Sequence, residues 1–253
     1  MVPDLTSVQR FTSRVADYVR YRPGYPPGLI PLAQTCFELS EGAVVADIGS
    51  GTGKLSAEFL RAGFEVLAVE PNEAMRNAAQ DLTSWPLFHN LAGTAEALPL
   101  RDGSVALLVA GQAFHWFDQR ESKREFKRVL RPGGGLMLIW NNRRTDSSAF
   151  LQEYEAMLQA HCPDYANVGN KHYDPKEIEA FFETRPEFAC LRYEQRMDLK
   201  ALRGRIFSSS YTPAEGSARR KLEDATQRLF AAHAVEDEVC VNYDTEIFYG
   251  KLT

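Results

Sequence analysis

Residues 44–53 read Val-Val-Ala-Asp-Ile-Gly-Ser-Gly-Thr-Gly, and no other stretch constrains the fold of this chain as tightly. An apolar run closed by glycines reads as a buried strand feeding a tight turn. Glycine at 49, 51 and 53 allows positive φ and lets the backbone approach a bulky ligand with no Cβ in between. From Lys54 onward, Leu55, Phe59 and Leu60 recur at the spacing of one helix face, so the loop opens onto a helix N-terminus. Strand, glycine loop and helix together predict a ligand cradle; a loop rich in glycine only for packing is the alternative. Spacing tests the ligand. A dinucleotide fingerprint starting at Gly49 needs glycine at 54, which is Lys54, and one starting at Gly51 needs it at 56, which is Ser56. A phosphate-cradling loop needs Gly-Lys followed by Ser or Thr, whereas Gly53-Lys54 is followed by Leu55, and Ile48 stands where its first glycine belongs. Both readings fail.

The rest of the chain supplies the frame. Strand and helix patterns alternate: strands at about 43–47, 65–70, 87–92, 104–110 and 135–141, helices at about 53–62, 72–82 and 118–130. Such alternation predicts right-handed crossovers and a mainly parallel, doubly wound α/β sheet with helices on both faces. Pro132 and Gly133–Gly135 read as a sharp reversal into the fifth strand. Upstream, helices are expected over about 7–21 and 28–39, flanking the turn-rich segment 22–27. Downstream, helices at about 148–160 and 174–184 precede a strand at 188–197. Helical stretches at about 199–208 and 213–233 come before a last strand at 239–250.

The pattern Asp47-x-Gly49-x-Gly51-x-Gly53 resembles motif I of the class I S-adenosylmethionine-dependent methyltransferases. Gln112-Ala-Phe-His115-Trp116-Phe-Asp118 is similar to a segment of a small-molecule subset that includes trans-aconitate methyltransferase-like enzymes. Phe11, Tyr18, Arg22-Pro23 and Tyr25-Pro26 match that subset's opening segment. The resemblance covers residues 8–141 well and the remainder only in outline. It implies a Rossmann-like, seven-stranded sheet, mostly parallel with an antiparallel last strand, built as a single domain over 1–253. Residues 1–40 would cover the cofactor, and the helical insert 199–234 would lie inside the final hairpin as a lid; a solubilising decoration is the other reading of that insert.

In an open parallel sheet, ligands bind beyond the carboxyl ends of the strands. Glu70 ends the second strand, where an acid can accept both hydroxyls of a ribose; capping the helix that starts at Pro71 is the alternative. The resemblance implies that Asp47 orders the glycine loop or reaches the amino group of the cofactor. It extends the cofactor set to Tyr18, Arg22, Gly49, Ser50, Gly51, Gly53, Glu70, Pro71, Thr94, Ala95, Glu96, Gly111 and Gln112. Thr94 stands where the family commonly carries an aspartate that meets adenine, which shifts that contact to the Thr94 hydroxyl and the Ala95 amide. Glu96 either joins them or caps the following turn. On the acceptor side the expected residues are His115, Trp116, Trp140 and Asn141, with His115 as the candidate base because its intrinsic pKa lies near neutrality. Binding of a substrate carboxylate or a structural place beneath Trp116 is the alternative for His115, and ordinary packing is the alternative for the other three.

A net charge of −5 over 253 residues leaves no electrostatic footprint for nucleic acid. The basic residues at 124, 127, 128 and 131 are interleaved with Glu121 and Glu125 and read as a solvated helix face. No apolar run reaches transmembrane length. Four scattered cysteines make no Cys-x-x-Cys pair, which points to reduced thiols in a cytoplasmic protein without a metal site. The expectation is an S-adenosylmethionine-dependent enzyme, releasing S-adenosylhomocysteine, that methylates a small molecule, carboxylic acids among the options, by in-line displacement. It would act as a monomer or homodimer, with no nucleic acid or membrane partner. A non-catalytic S-adenosylmethionine-binding regulator and a nicotinamide-dependent oxidoreductase are the rival readings, the latter already disfavoured by Lys54.

Overall fold

The structure is a computed structural model that describes residues 20–165, 173–182 and 184–252. Seven strands form one sheet: β1 (Val44–Ile48), β2 (Glu65–Val69), β3 (Phe88–Leu91), β4 (Val105–Gly111), β5 (Leu130–Arg143), β6 (Glu187–Met197) and β7 (Val239–Lys251). Their order is β3-β2-β1-β4-β5-β7-β6, and only β7 runs antiparallel to its neighbours. The strand order reverses between β1 and β4, which places the topological switch point at the end of the glycine-containing strand.

The helices in chain order are α1 (Leu29–Phe37), α2 (Lys54–Arg61), α3 (Glu73–Ala78), α4 (Gln119–Val129), α5 (Ala149–His161), α6 (Pro175–Phe182), α7 (Leu199–Phe207) and α8 (Gly216–His233). β1 and β4 read as nearly continuous apolar runs because both of their faces are covered. On one face Val45, Leu107, Val109, Met137 and Ile139 pack against Leu29, Ala33 and Phe37 of α1 and Leu55 and Phe59 of α2. On the other, Ala46, Ile48, Leu108, Leu136, Leu138 and Trp140 meet Phe126 and Val129 of α4 and Phe181 and Phe182 of α6. β6, at the edge, is largely exposed and carries Arg192, which pairs with Asp244 of β7. Charges of this kind guard an open edge against pairing with other chains.

A third core lies beyond the end of the sheet. Leu151, Tyr154 and Leu158 of α5, Leu202 and Ile206 of α7, and Leu222 and Leu229 of α8 close around Val241 and Tyr243 of β7. The helices α7 and α8, which lie between β6 and β7, therefore share a core with α5 rather than standing alone.

The start of β5 differs from expectation. Strand pairing begins at Leu130, directly after α4, and the register shifts between Val105 and Leu107. The glycines at 133–135 lie inside this irregular strand instead of preceding it, and Gly133, at φ +80°, absorbs the local bend. Gly135 has a packing reason to be glycine: a Cβ there would sit 2.0 Å from the Phe37 ring. Gly135→Ala should therefore cost about 1–3 kcal/mol through overpacking, read as a lower midpoint in urea unfolding with an unchanged slope.

Candidate active site

β1 stops at Ile48 because the next backbone bonds leave the ladder: the amides of Gly49 and Ser50 both donate to Val69 O, at 2.8 and 3.2 Å. Gly53 N then donates to Ser50 O, closing the turn, and α2 begins at Lys54. Gly49, Gly51 and Gly53 all have positive φ, at 67°, 57° and 77°. Two of them also carry close packing. A Cβ on Gly49 would lie 2.6 Å from the Ala113 Cβ, and one on Gly53 the same distance from Leu82 Cδ1. Beside Gly51 the nearest atom is Met75 Cε at 3.5 Å, so glycine here serves conformation and leaves room on the loop's outer side.

Two buried carboxylates face this loop. Glu70 Oε2 accepts from Gly51 N at 2.9 Å and Oε1 from Asn72 N at 2.8 Å, so one side chain joins the glycine loop to the end of β2. It does not cap α3; Asn72 does, accepting from Met75 N at 3.2 Å. Arg76 donates to the backbone oxygens of Glu70 and Pro71. Asp47, 1% exposed, accepts from Ser56 Oγ at 2.6 Å through Oδ2, and its Oδ1 has no partner among the described residues. Burial pushes the Asp47 carboxyl up to about 7, with the Glu70 charge a smaller contribution in the same direction. Glu70 is also raised by burial, against the pull of its two backbone donors.

A methyltransferase-domain family model matches residues 46–138, from within β1 to within β5. Over 137 residues the chain is 41% identical to an uncharacterized methyltransferase of Mycobacterium bovis, covering 53% of this chain and 52% of that protein. It is 37% identical over 134 residues to an uncharacterized methyltransferase of Schizosaccharomyces pombe, covering 53% of each. The chain spans about half the length of these curated relatives. The solved structure of a candidate type II methyltransferase from Anaeromyxobacter dehalogenans shares the fold, with a TM-score of 0.64 at 24% identity over 92% of this chain and 98% of that one. Residues 46–138 thus resemble a methyltransferase domain.

The loops after β3 and β4 converge on the same edge of the sheet. After β3, Thr94 bridges to Ala97, and Ala95 is buried. Glu96 Oε1 accepts from Asp118 N at 2.9 Å, which ties this loop to the start of α4. After β4, Gly111 lies under Tyr25, whose hydroxyl would be 2.2 Å from any Cβ there. Gln112 holds φ +60°, uncommon for a residue with a side chain, while its amide donates to Ile139 O. The segment carrying Arg22 and Tyr25 crosses this edge as a strap. Arg22 Nη2 reaches Ser209 Oγ, in the helical insert, at 3.5 Å. Tyr18 and Phe11 lie outside the described residues.

The expected acceptor-side residues separate into three environments. Trp140 is a correction: it is fully buried, packed against Phe114, Tyr173 and Phe248. The alternation of β5 puts it in phase with Leu136 and Leu138, on the core side. Asn141 points the other way, and both ends of its amide are engaged. Nδ2 donates to Gly24 O at 2.8 Å and Oδ1 accepts from Thr245 Oγ1 at 2.6 Å, so it fastens the strap to the sheet. His115 and Trp116 stand exposed in a short helical turn after β4, their rings 4.8 Å apart, with Trp116 53% exposed. Two residues at the same end of the sheet escaped the sequence reading. Arg143, which ends β5, and Arg205, on α7, are both buried. The available signal for Arg205 was its place between Leu202 and Ile206 on the apolar side of α7.

Asp47 carries a sign-determined prediction. A carboxyl whose folded pKa lies near 7, above its ordinary 3.8, costs stability progressively as pH rises from about 4 to 7, and the cost is level above that. Asp47→Asn should therefore raise the stability of the ligand-free protein by roughly 2 kcal/mol more at pH 8 than at pH 5. Denaturant unfolding at the two pH values checks this; an equal effect at both would show that Asp47 does not titrate in this range.

Proposed function

We propose that the chain as a whole is an S-adenosylmethionine-dependent methyltransferase that acts on a small-molecule acceptor. The observation that carries this reading is the pairing of an outward-open glycine loop with two buried carboxylates. Neither Asp47 nor Glu70 is offset by a basic side chain bonded to its carboxylate among the described residues. S-Adenosylmethionine suits these residues: it brings a sulfonium and an ammonium, and its ribose hydroxyls can donate to the remaining lone pairs of Glu70. A dinucleotide would bring a diphosphate to the same acidic surroundings, which disfavours it.

When bound, S-adenosylmethionine supplies a methyl group on a cationic sulfur, a strong electrophile that asks for no metal. The chain's own residues then have to bind, orient and exclude water. Gly49, Ser50, Gly51 and Gly53 shape the loop, and Asp47 offers its unpartnered Oδ1 to the amino group. Pro71, Thr94, Ala95, Glu96, Gly111 and Gln112 bound the adenosine side. The insert carrying α7 and α8 is assigned the role of a lid that limits solvent access to the acceptor. His115 and Trp116, on the rim after β4, are assigned to the acceptor, with His115 placed to take a proton from a protonated nucleophile.

Titration with S-adenosylhomocysteine should raise the melting temperature, and NAD(H) should not; stabilisation by NAD(H) alone would overturn the reading. Glu70→Ala should weaken S-adenosylhomocysteine binding by about 1–3 kcal/mol in calorimetry, because charge-assisted bonds to the ligand and to Gly51 N are both removed. For His115→Ala, retained cofactor affinity with lost methyl transfer supports its acceptor-side role, and unaltered turnover removes it from the mechanism.

A further inference from the structure

Among the described residues, the third core encloses two guanidiniums and bonds a single carboxylate to them. Arg205 is 8% exposed and is surrounded by phenols: its charge acts on Tyr154, Tyr211 and Tyr243. Its Nε donates to Tyr243 Oη at 3.3 Å and its Nη1 to Ser209 Oγ at 3.2 Å, and no carboxylate pairs with it among the described residues. Arg143 is equally buried, with its guanidinium 4.5 Å above the Tyr154 ring. Its Nη2 meets Glu155 at 2.5 Å and Tyr165 Oη at 2.9 Å, while Nη1 is buried with no partner among the described residues. Arg22 approaches from the strap to the same Ser209 hydroxyl. Glu155 is thus the one carboxylate bonded to Arg143 or Arg205 among the described residues, and it is already shared with Tyr165.

Phenols do not supply the missing charge, since burial raises the ionisation of Tyr154 and Tyr165 far above neutrality. Enclosing an uncompensated guanidinium is strongly unfavourable unless an anion joins it. The position is also telling. Arg143 is two residues beyond Asn141 at the carboxyl end of β5, in register with Tyr243, which itself pairs with Tyr193. That end of the sheet is where ligands of this architecture sit.

We propose that Arg205 and Arg143 bind an acidic group, a carboxylate or a phosphate, carried by the acceptor. This rests on the methyltransferase reading for the word acceptor; the anion site itself does not. The planar fork of arginine matches either oxyanion, with Nη1 of Arg143 and Nη2 of Arg205, whose described bonds run through Nε and Nη1, as donors and Tyr and Ser hydroxyls around them. An oxyanion held by two guanidiniums is a weak nucleophile, so the methyl group goes to a different atom of the acceptor, including a second acid group where there is one.

The test uses the full chain. Melting temperature is followed against sodium acetate, inorganic phosphate and a phosphate monoester, with sodium chloride as the ionic-strength match, each with and without S-adenosylhomocysteine. At least one oxyanion should stabilise the protein beyond chloride, and the arm that does so identifies the acid. Arg205→Met should abolish that increment, and Arg205→Lys, which keeps the charge but loses the fork, should weaken the anion about tenfold or more. Affinity for S-adenosylhomocysteine should stay within about twofold in both. No oxyanion effect in the wild type, or an undiminished one in Arg205→Lys, overturns the proposal, even if Arg205→Met does not fold. Failure of the wild type to bind S-adenosylhomocysteine would instead count against the methyltransferase reading and leave the anion site standing. As the turnover counterpart, carboxylic acids paired with their amides should show methylation of the acid members only, and Arg205→Lys should lose the difference.

Discussion

The carboxylate of Glu70 holds the two halves of the cofactor edge in one arrangement. One oxygen takes the amide of Gly51 and the other the amide of Asn72, so the loop after β1 and the turn after β2 share a single rigid acceptor. A buried carboxylate is costly, and these two amide bonds together with the Arg76 charge offset part of that cost. Asp47 is held in the same region, buried, with no partner on Oδ1 among the described residues. Polar groups left in that condition inside a fold belong to a binding surface more often than to a packing device.

Two regions with separate hydrophobic cores meet at this edge. The sheet and its flanking helices bury one set of side chains, whereas α5, α7 and α8 bury another around the far end of β7. The strap runs between them. Tyr21 packs on Gly204 of α7, where a Cβ would come within 2.0 Å of its ring, Gly24 is tied to Asn141, and Tyr25 closes over Gly111. Glycine at 111 and 204 therefore sets how near the strap can approach on either side.

Much of this was legible in the residues themselves. The parallel strands stand out because burial on both faces leaves apolar runs, and the helices between them show their buried stripe. Positive φ at three alternating glycines followed from the spacing of the loop. Other parts were not legible for definite reasons. The start of β5 was misplaced because a strand whose register shifts between Leu130 and Gly135 looks, residue by residue, like a turn. Trp140 seemed a cavity wall by its position near a strand end, but the two-residue alternation of β5 assigns it to the core. Glu96 was ambiguous because its partner, the Asp118 amide, is 22 residues away. Arg143 and Arg205 escaped notice because a guanidinium in an amphipathic segment reads as solvated, and only the packing of α5, α7 and β7 around them shows otherwise.

The strap has a thermodynamic consequence. Its residues touch Gly111 on the cofactor side and Ser209 and Gly204 on the insert side, and a short segment anchored at both ends cannot shift at one without disturbing the other. Any ligand that prefers one seating of Tyr25 thereby biases the seating of Tyr21 and Arg22. Linkage makes such an effect mutual: whatever the first occupant adds to the affinity of the second, the second returns to the first. The strap therefore ties the two sides into one equilibrium, and neither can be read without the other.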